Sequence, residues 1–176
     1  MDFETSKTKK NLLAAFAGES QARNKYTYFA GKAKKEGYEH IASVFLDAAE
    51  NEKEHAKIWY KYLHTIDTTS NNLQTAAEGE NYEHTTMYKA FAAEADAEGF
   101  HDIAEKFRRV AEVEKNHEKI FKKLLEDIKN DEVFKKKTGV AMWRCRNCGH
   151  VHIGAAAPEK CPVCDHAQGY FEIYNF

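Results

Sequence analysis

The chain has 176 residues, 43% of them apolar and 31% charged, with only 2 prolines; that is the length of one domain, or of one domain with a small appendage. A net charge of −2, from 26 basic and 28 acidic residues, offers no basic field to hold nucleic acid. No apolar run approaches the roughly 18–20 residues of a membrane span. The polar start, Met1–Lys10, has no secretory core, so the sequence reads as cytoplasmic. In that reducing compartment four cysteines point to metal binding rather than to disulfides.

Up to about Lys137 the sequence is rich in Ala, Glu and Lys, with apolar residues at helical spacing. Leu12, Ala15, Phe16 and Glu19 fall three and four apart, as do Ile41, Val44, Phe45, Ala48 and Ala49. Glu36-Gly37 and Glu98-Gly99 read as helix ends, because a glycine just past the last turn accepts positive φ at no steric cost. The stretch Asp67–Asn72 is dense in capping and turn residues. Helices are therefore predicted over 5–36, 38–64, 72–98 and 100–129. Short glycine junctions make antiparallel neighbours, and the connection near residue 68 is long enough to cross the bundle. The expected architecture is an all-α four-helix bundle. Residues 130–140, with a lysine run and no helical rhythm, read as a linker to a small cysteine module.

An internal repeat supports this layout. Glu36–Ile58 aligns without gaps to Glu98–Ile120 at an offset of 62, with 12 of 23 positions identical. The repeat duplicates a Glu-x-x-His motif as Glu52/His55 and Glu114/His117. Three residues apart on a helix, the two side chains project from one face. The first helix adds Glu19 within an apolar stretch, and the third adds Glu80 at nearly the same offset, one short of it. One Glu from each of two helices and a Glu-x-x-His from each of the others is the ligand set of carboxylate-bridged dimetal bundles. Hard oxygen donors with a few imidazoles suit iron or manganese. One such motif alone would read as a solvated face; two copies in register, each beside apolar positions, read as a metal site. Ionised carboxylates turned to a core would otherwise cost several kcal/mol each. Glu83, on the same side of the third helix as Glu80, brings the carboxylates to five. Tyr26 and Tyr88 are placed to hydrogen-bond this cluster, or simply to pack in the core.

At the other end, Cys145-x-x-Cys148 and Cys161-x-x-Cys164 stand twelve residues apart. Two such knuckles form a tetrahedral thiolate site, which accepts redox-inert zinc or one-electron iron. Trp143, Tyr170 and Phe171 are expected to shield it, with His150, His152 and His166 on the surface.

Taken together, these motifs resemble the rubrerythrin family, over essentially the whole chain. The resemblance rests on Glu19, Glu52 with His55, Glu80 with Glu83, Glu114 with His117, and the four cysteines in this order. It implies a ferritin-like di-iron bundle over 1–137 and a rubredoxin-like domain of short β-strands over 138–176, holding two irons in the bundle and one iron in the four cysteines. It also implies a peroxidase that reduces hydrogen peroxide to water in oxidative-stress defence. One iron would exchange Glu83 for His55 on reduction, which sets these two, with Tyr26 and Tyr88, as the catalytic residues. Lys89 departs from the proline of many relatives and puts the local shape of the third helix in question. No Gly-x-Gly-x-x-Gly fingerprint is present, so electrons must come from an external donor, a rubredoxin or an NAD(P)H-dependent reductase. The family is typically a homodimer or higher homo-oligomer. Two other readings are a ferroxidase of the iron-storage type, against which a built-in electron donor argues, and a non-catalytic module with zinc in the cysteines.

Overall fold

The computed structural model describes residues 2–174; Met1 of the polar start, and Asn175 and Phe176 at the end of the expected cysteine module, lie outside them. The chain divides into two compact units between Asp67 and Thr68. The first holds α1 (Lys7–Lys35) and α2 (Glu39–Leu63). The second holds α3 (Thr69–Tyr82), a π-helical turn (Glu83–Met87), α4 (Tyr88–Ala97) and α5 (His101–Lys129). Its strands are β1 (Ala141–Cys145), β2 (Val151–Gly154) and β3 (Phe171–Ile173), with a 3-10 turn (Gln168–Tyr170) before the last. The expected class, mostly helical with a small C-terminal sheet, is what the structure has. One expectation changes: the helix predicted over 72–98 is interrupted by the π-turn.

Local chemistry sets the helix ends. Ser6 caps α1 by accepting a hydrogen bond from the Lys9 amide at 3.0 Å, and Thr68 caps α3 through the Asn71 amide at 3.3 Å. After α1, Gly37 takes φ +84° and donates to Lys34, while Tyr38 reaches back to Ala33. After α4, Gly99 at φ +87° donates to Asp96 and Phe100 reaches Ala95. Both are Schellman endings, which a side chain at the glycine would strain. They reverse the chain so that α1 packs on α2 and α4 on α5.

The repeat extends to the packing. Ala30, Ala33 and Ala42 are buried together beneath Phe45, and Ala92, Ala95 and Ala104 beneath Phe107. The Tyr26, Phe29 and Phe45 rings cluster in the first copy, and Tyr88, Phe91 and Phe107 in the second. Every one of these pairs keeps the repeat's offset of 62. Small alanines let the helix backbones approach closely, and the aromatic groups close each end.

In the C-terminal sheet, ordered β2-β1-β3 and antiparallel throughout, Trp143 pairs with His152 on one side and Ile173 on the other. The stretch expected to be a bare linker takes part: Phe134 packs against the Trp143 cluster, and Lys135 bridges to Ala156. A phenylalanine ring beside so small a core gains more by covering it than by staying in solvent. Among the described residues no helix is long and apolar enough to cross a membrane.

Candidate metal centres

The first unit brings Glu19 of α1 together with Glu52 and His55 of α2, one donor atom of each within 4.8 Å of the others. His55 Nδ1 lies 2.8 Å from Glu52 Oε2, the contact that i,i+3 spacing predicts. The second unit repeats the arrangement. Glu80 of α3 meets Glu114 and His117 of α5 within the same limit, and His117 Nδ1 lies 2.7 Å from Glu114 and 3.8 Å from Glu80.

These residues fit a metal. Burial holds the Glu80 carboxyl above its ordinary range, reinforced by the charges of Glu114 and Glu83 and opposed by His117. A divalent cation supplies the counter-charge that stabilises crowded acids of this kind. Oxygen and imidazole donors without sulfur are the set iron and manganese prefer.

Glu83 sits at the start of the π-turn, outside the compact donor group of the second unit. The turn explains a discrepancy in the repeat. Glu19 and Tyr26 are 7 apart, but their counterparts Glu80 and Tyr88 are 8 apart. The extra residue is taken up by the π-turn, where the Tyr88 amide bonds to Glu83 O, five residues back. An insertion thus keeps both Glu80 and Tyr88 in place and adds a position for a fifth acid. Burial, and then the charges of Glu83, Glu114 and Glu80, hold the Tyr88 hydroxyl above its ordinary range, which sets this tyrosine beside the second cluster. Tyr26 packs against Phe29 and Phe45, with ring centroids 6.4 and 6.2 Å away.

A group that sequence reading passed over lies beside this cluster. Glu118, only 7% exposed, accepts from Asn81 Nδ2 at 2.9 Å and Lys122 Nζ at 2.5 Å, and His84 Nε2 lies 2.8 Å from its other oxygen. Lys122 first, then His84 and Asn81, pull its pKa down to about 2 against the opposing effect of burial. The signal was in the repeat: Glu118 stands where the first copy has the buried Ala56, a charge in place of a core methyl. Since its pKa falls below the unfolded value of about 4.5, Glu118 adds stability above that pH and loses it as pH drops towards 2. A Glu118→Gln variant, melted alongside the parent in metal-free buffer, should show a flatter fall in Tm between pH 4.5 and 2; equal slopes would remove Glu118 as the cause.

The four cysteines form the third donor set, with one sulfur of each inside 4.8 Å of the rest. Cys145–Cys164 and Cys148–Cys161 Sγ pairs are each 3.7 Å apart, close to the edge of a tetrahedron with metal–sulfur bonds of about 2.3 Å. The knuckles are built alike. Cys145 and Cys161 amides bond to the carbonyls of His150 and His166, while Gly149 and Asp165 donate back to Cys145 and Cys161. Gly149 and Asp165 accordingly share positive φ, 80° and 61°. The backbone amide of His166 draws the Cys164 thiol down, which favours its thiolate form.

Cys145 and Cys161 are fully buried with Trp143, Ala157 and Phe171, whereas Cys148 is exposed. Two corrections follow. Tyr170 is 46% exposed and leans on His166 instead of shielding the sulfurs. His150, His152 and His166 are half-buried rather than on the surface, because they stand in the knuckles and the β2 strand. Five buried residues make too small a core to hold the module alone, whereas ligation of a structural ion supplies on the order of 10 kcal/mol. Chelating that ion should therefore expose Trp143 and shift its emission to the red, with far-UV helicity retained. Unchanged emission after verified metal loss would contradict this.

The comparisons with known proteins agree with this geometry. The Rubrerythrin family model matches residues 10–125 and again 71–144. The model for the rubrerythrin rubredoxin-like domain matches residues 143–172. A rubrerythrin of Porphyromonas gingivalis is 49% identical, covering 95% of this chain and 90% of its own. Rubrerythrin-1 of Clostridium acetobutylicum is 46% identical, covering 97% and 95%, and a rubrerythrin of Nitratidesulfovibrio vulgaris 45%, covering 96% and 94%. Donor sets and matches together support two irons for the acid and imidazole residues and a third in the four cysteines, which gives the C-terminal module a role in electron transfer. From its helices to its knuckles, the chain belongs to the rubrerythrin family.

Proposed function

We propose that this protein is a peroxidase, reducing hydrogen peroxide to two waters with two electrons and two protons. The observation that carries the reading is the presence, in one chain, of duplicated carboxylate–histidine clusters and a four-cysteine site. The first suits two-electron chemistry and the second resupplies electrons singly. Glu19, Glu52, His55, Glu80, Glu83, Glu114 and His117 serve as ligands of the di-iron centre, and Cys145, Cys148, Cys161 and Cys164 of the single iron. When bound, the iron pair supplies the two electrons and polarises the peroxide oxygens.

The chain's own groups handle the protons and the geometry. The Glu83 carboxylate lies outside the compact donor group; in the reduced state, when His55 has taken its place as a ligand, it holds a proton at an oxygen and passes it to the departing peroxide oxygen. Its exchange with His55, the family's redox movement, is part of this reading. The Tyr88 hydroxyl is kept protonated by burial and by the charges of the three acids beside it, and so stays available to this site as a proton donor. Tyr26 takes the matching place in the first copy. Exposed Cys148 offers an entry point for electrons from an external donor, a rubredoxin or an NAD(P)H-dependent reductase. The domain limits that fit this division are 1–137 for the helical part and 138–176 for the cysteine module. The protein would act in the cytoplasm, as a homodimer or larger homo-oligomer.

A storage-type ferroxidase needs no wired electron donor, and the four-cysteine site argues against it. Iron-loaded protein supplied with a chemical reductant should consume peroxide catalytically. Peroxide left unconsumed while ferrous iron is oxidised and retained in bulk would favour storage instead.

A further inference from the structure

Asn81 and His84 each follow an acid of the proposed ligand set, Glu80 and Glu83, by one residue, and Glu118 follows His117 by one. They form a second row, turned by about 100° from the ligand row. Both cross-helix bonds converge on a single carboxylate. Asn81 Nδ2 donates to Glu118 Oε1 at 2.9 Å from the last turn of α3, and His84 Nε2 meets Oε2 at 2.8 Å from inside the π-turn. An ionised carboxylate only accepts, so the imidazole donates. The two anchors straddle Glu83. His84 and Glu118 side chains are 14% and 9% exposed, so water competes weakly for these bonds.

The first copy of the repeat serves as a control. There the place of Glu118 is taken by Ala56, and Ser20, the counterpart of Asn81 at an offset of 61, spends its hydroxyl on Phe16 O of its own helix at 2.7 Å. That copy has an uninterrupted α1 and no fifth acid. The clamp therefore occurs only where the π-turn does. We infer that Glu118 is a positioning residue: through Asn81 and His84 it holds the π-turn against α5 and fixes the direction of Glu83 relative to Glu80.

This rests on Glu83 as a metal ligand, so the test is a double-mutant cycle read by metal binding. Full-length protein with its cysteine site filled is titrated anaerobically with Co(II), and the d–d bands report affinity and coordination number; far-UV circular dichroism checks folding. His84→Phe should weaken the second Co(II) ion by about ten- to a hundredfold and raise the band intensity, as a lost ligand does. His84→Gln, which keeps a donor, should restore both. In a Glu83→Ala background His84→Phe should do nothing more. Glu118→Gln, nearly isosteric, provides the same cycle should His84→Phe fold poorly. A loss of equal size with and without Glu83 would overturn the clamp, as would unchanged binding in His84→Phe when Glu83→Ala alone weakens it. Unchanged binding in Glu83→Ala would overturn the ligand role as well.

Discussion

Replacing Glu83 with alanine is expected to stop single-turnover peroxide reduction almost entirely, slowing it by about 10²–10⁴-fold, the range of a lost general acid or base. The residue sits at the head of the π-turn, close enough for its charge to bear on both Glu80 and Tyr88, yet apart from the compact donor group. Neither Glu80 nor Glu114 can replace it, because both already face His117. Rapid mixing of fully reduced protein with peroxide reads the rate directly. Optical bands of the cysteine iron should be unchanged in the variant, since its ligands lie elsewhere in the chain. A Glu83→Ala protein with a normal rate would remove this residue from the chemistry.

Cys161→Ser is expected to produce the opposite division. Cys161 is wholly buried, its sulfur 3.7 Å from Cys148 and packed in the Trp143 cluster. A hydroxyl there replaces a thiolate ligand by a poor one and leaves a polar atom among apolar neighbours. The visible bands of thiolate-bound iron should disappear, and turnover with a protein electron donor should fall to background. A single turnover by chemically reduced helical iron should survive, because those ligands are intact. Normal multiple turnover with the protein donor would show that electrons do not pass through the cysteines.

Much of this was legible in the sequence because duplication leaves marks that spacing can read. Glu52/His55 and Glu114/His117 lay in register at an offset of 62, and the structure gathers each with Glu19 or Glu80 as the spacing required. The cysteine knuckles were equally plain, since their geometry is set by hydrogen bonds within each knuckle. Less visible was whatever depended on a change of register. The slip from 62 to 61 at Glu19 and Glu80 was the trace of the π-turn, but helical periodicity over 72–98 tolerates one extra residue and conceals it. Glu118 was hidden for a different reason. On a chain with 28 acids, one more beside a ligand reads as surface, and only its partner Ala56 in the first copy marked a core position. Exposure of Tyr170 depended on how the last turn meets β3, which pattern alone does not fix.

The central claim is that electrons pass from the four-cysteine iron to peroxide by way of the carboxylate–histidine iron. Stopped-flow absorbance of the thiolate-iron bands tests it most directly, with fully reduced protein mixed anaerobically with hydrogen peroxide. The account predicts that the bands return rapidly in the parent protein and only slowly in Glu83→Ala, whose cysteine site is untouched. Equal rates in the two proteins would mean that peroxide oxidises the cysteine iron on its own, and would contradict the account.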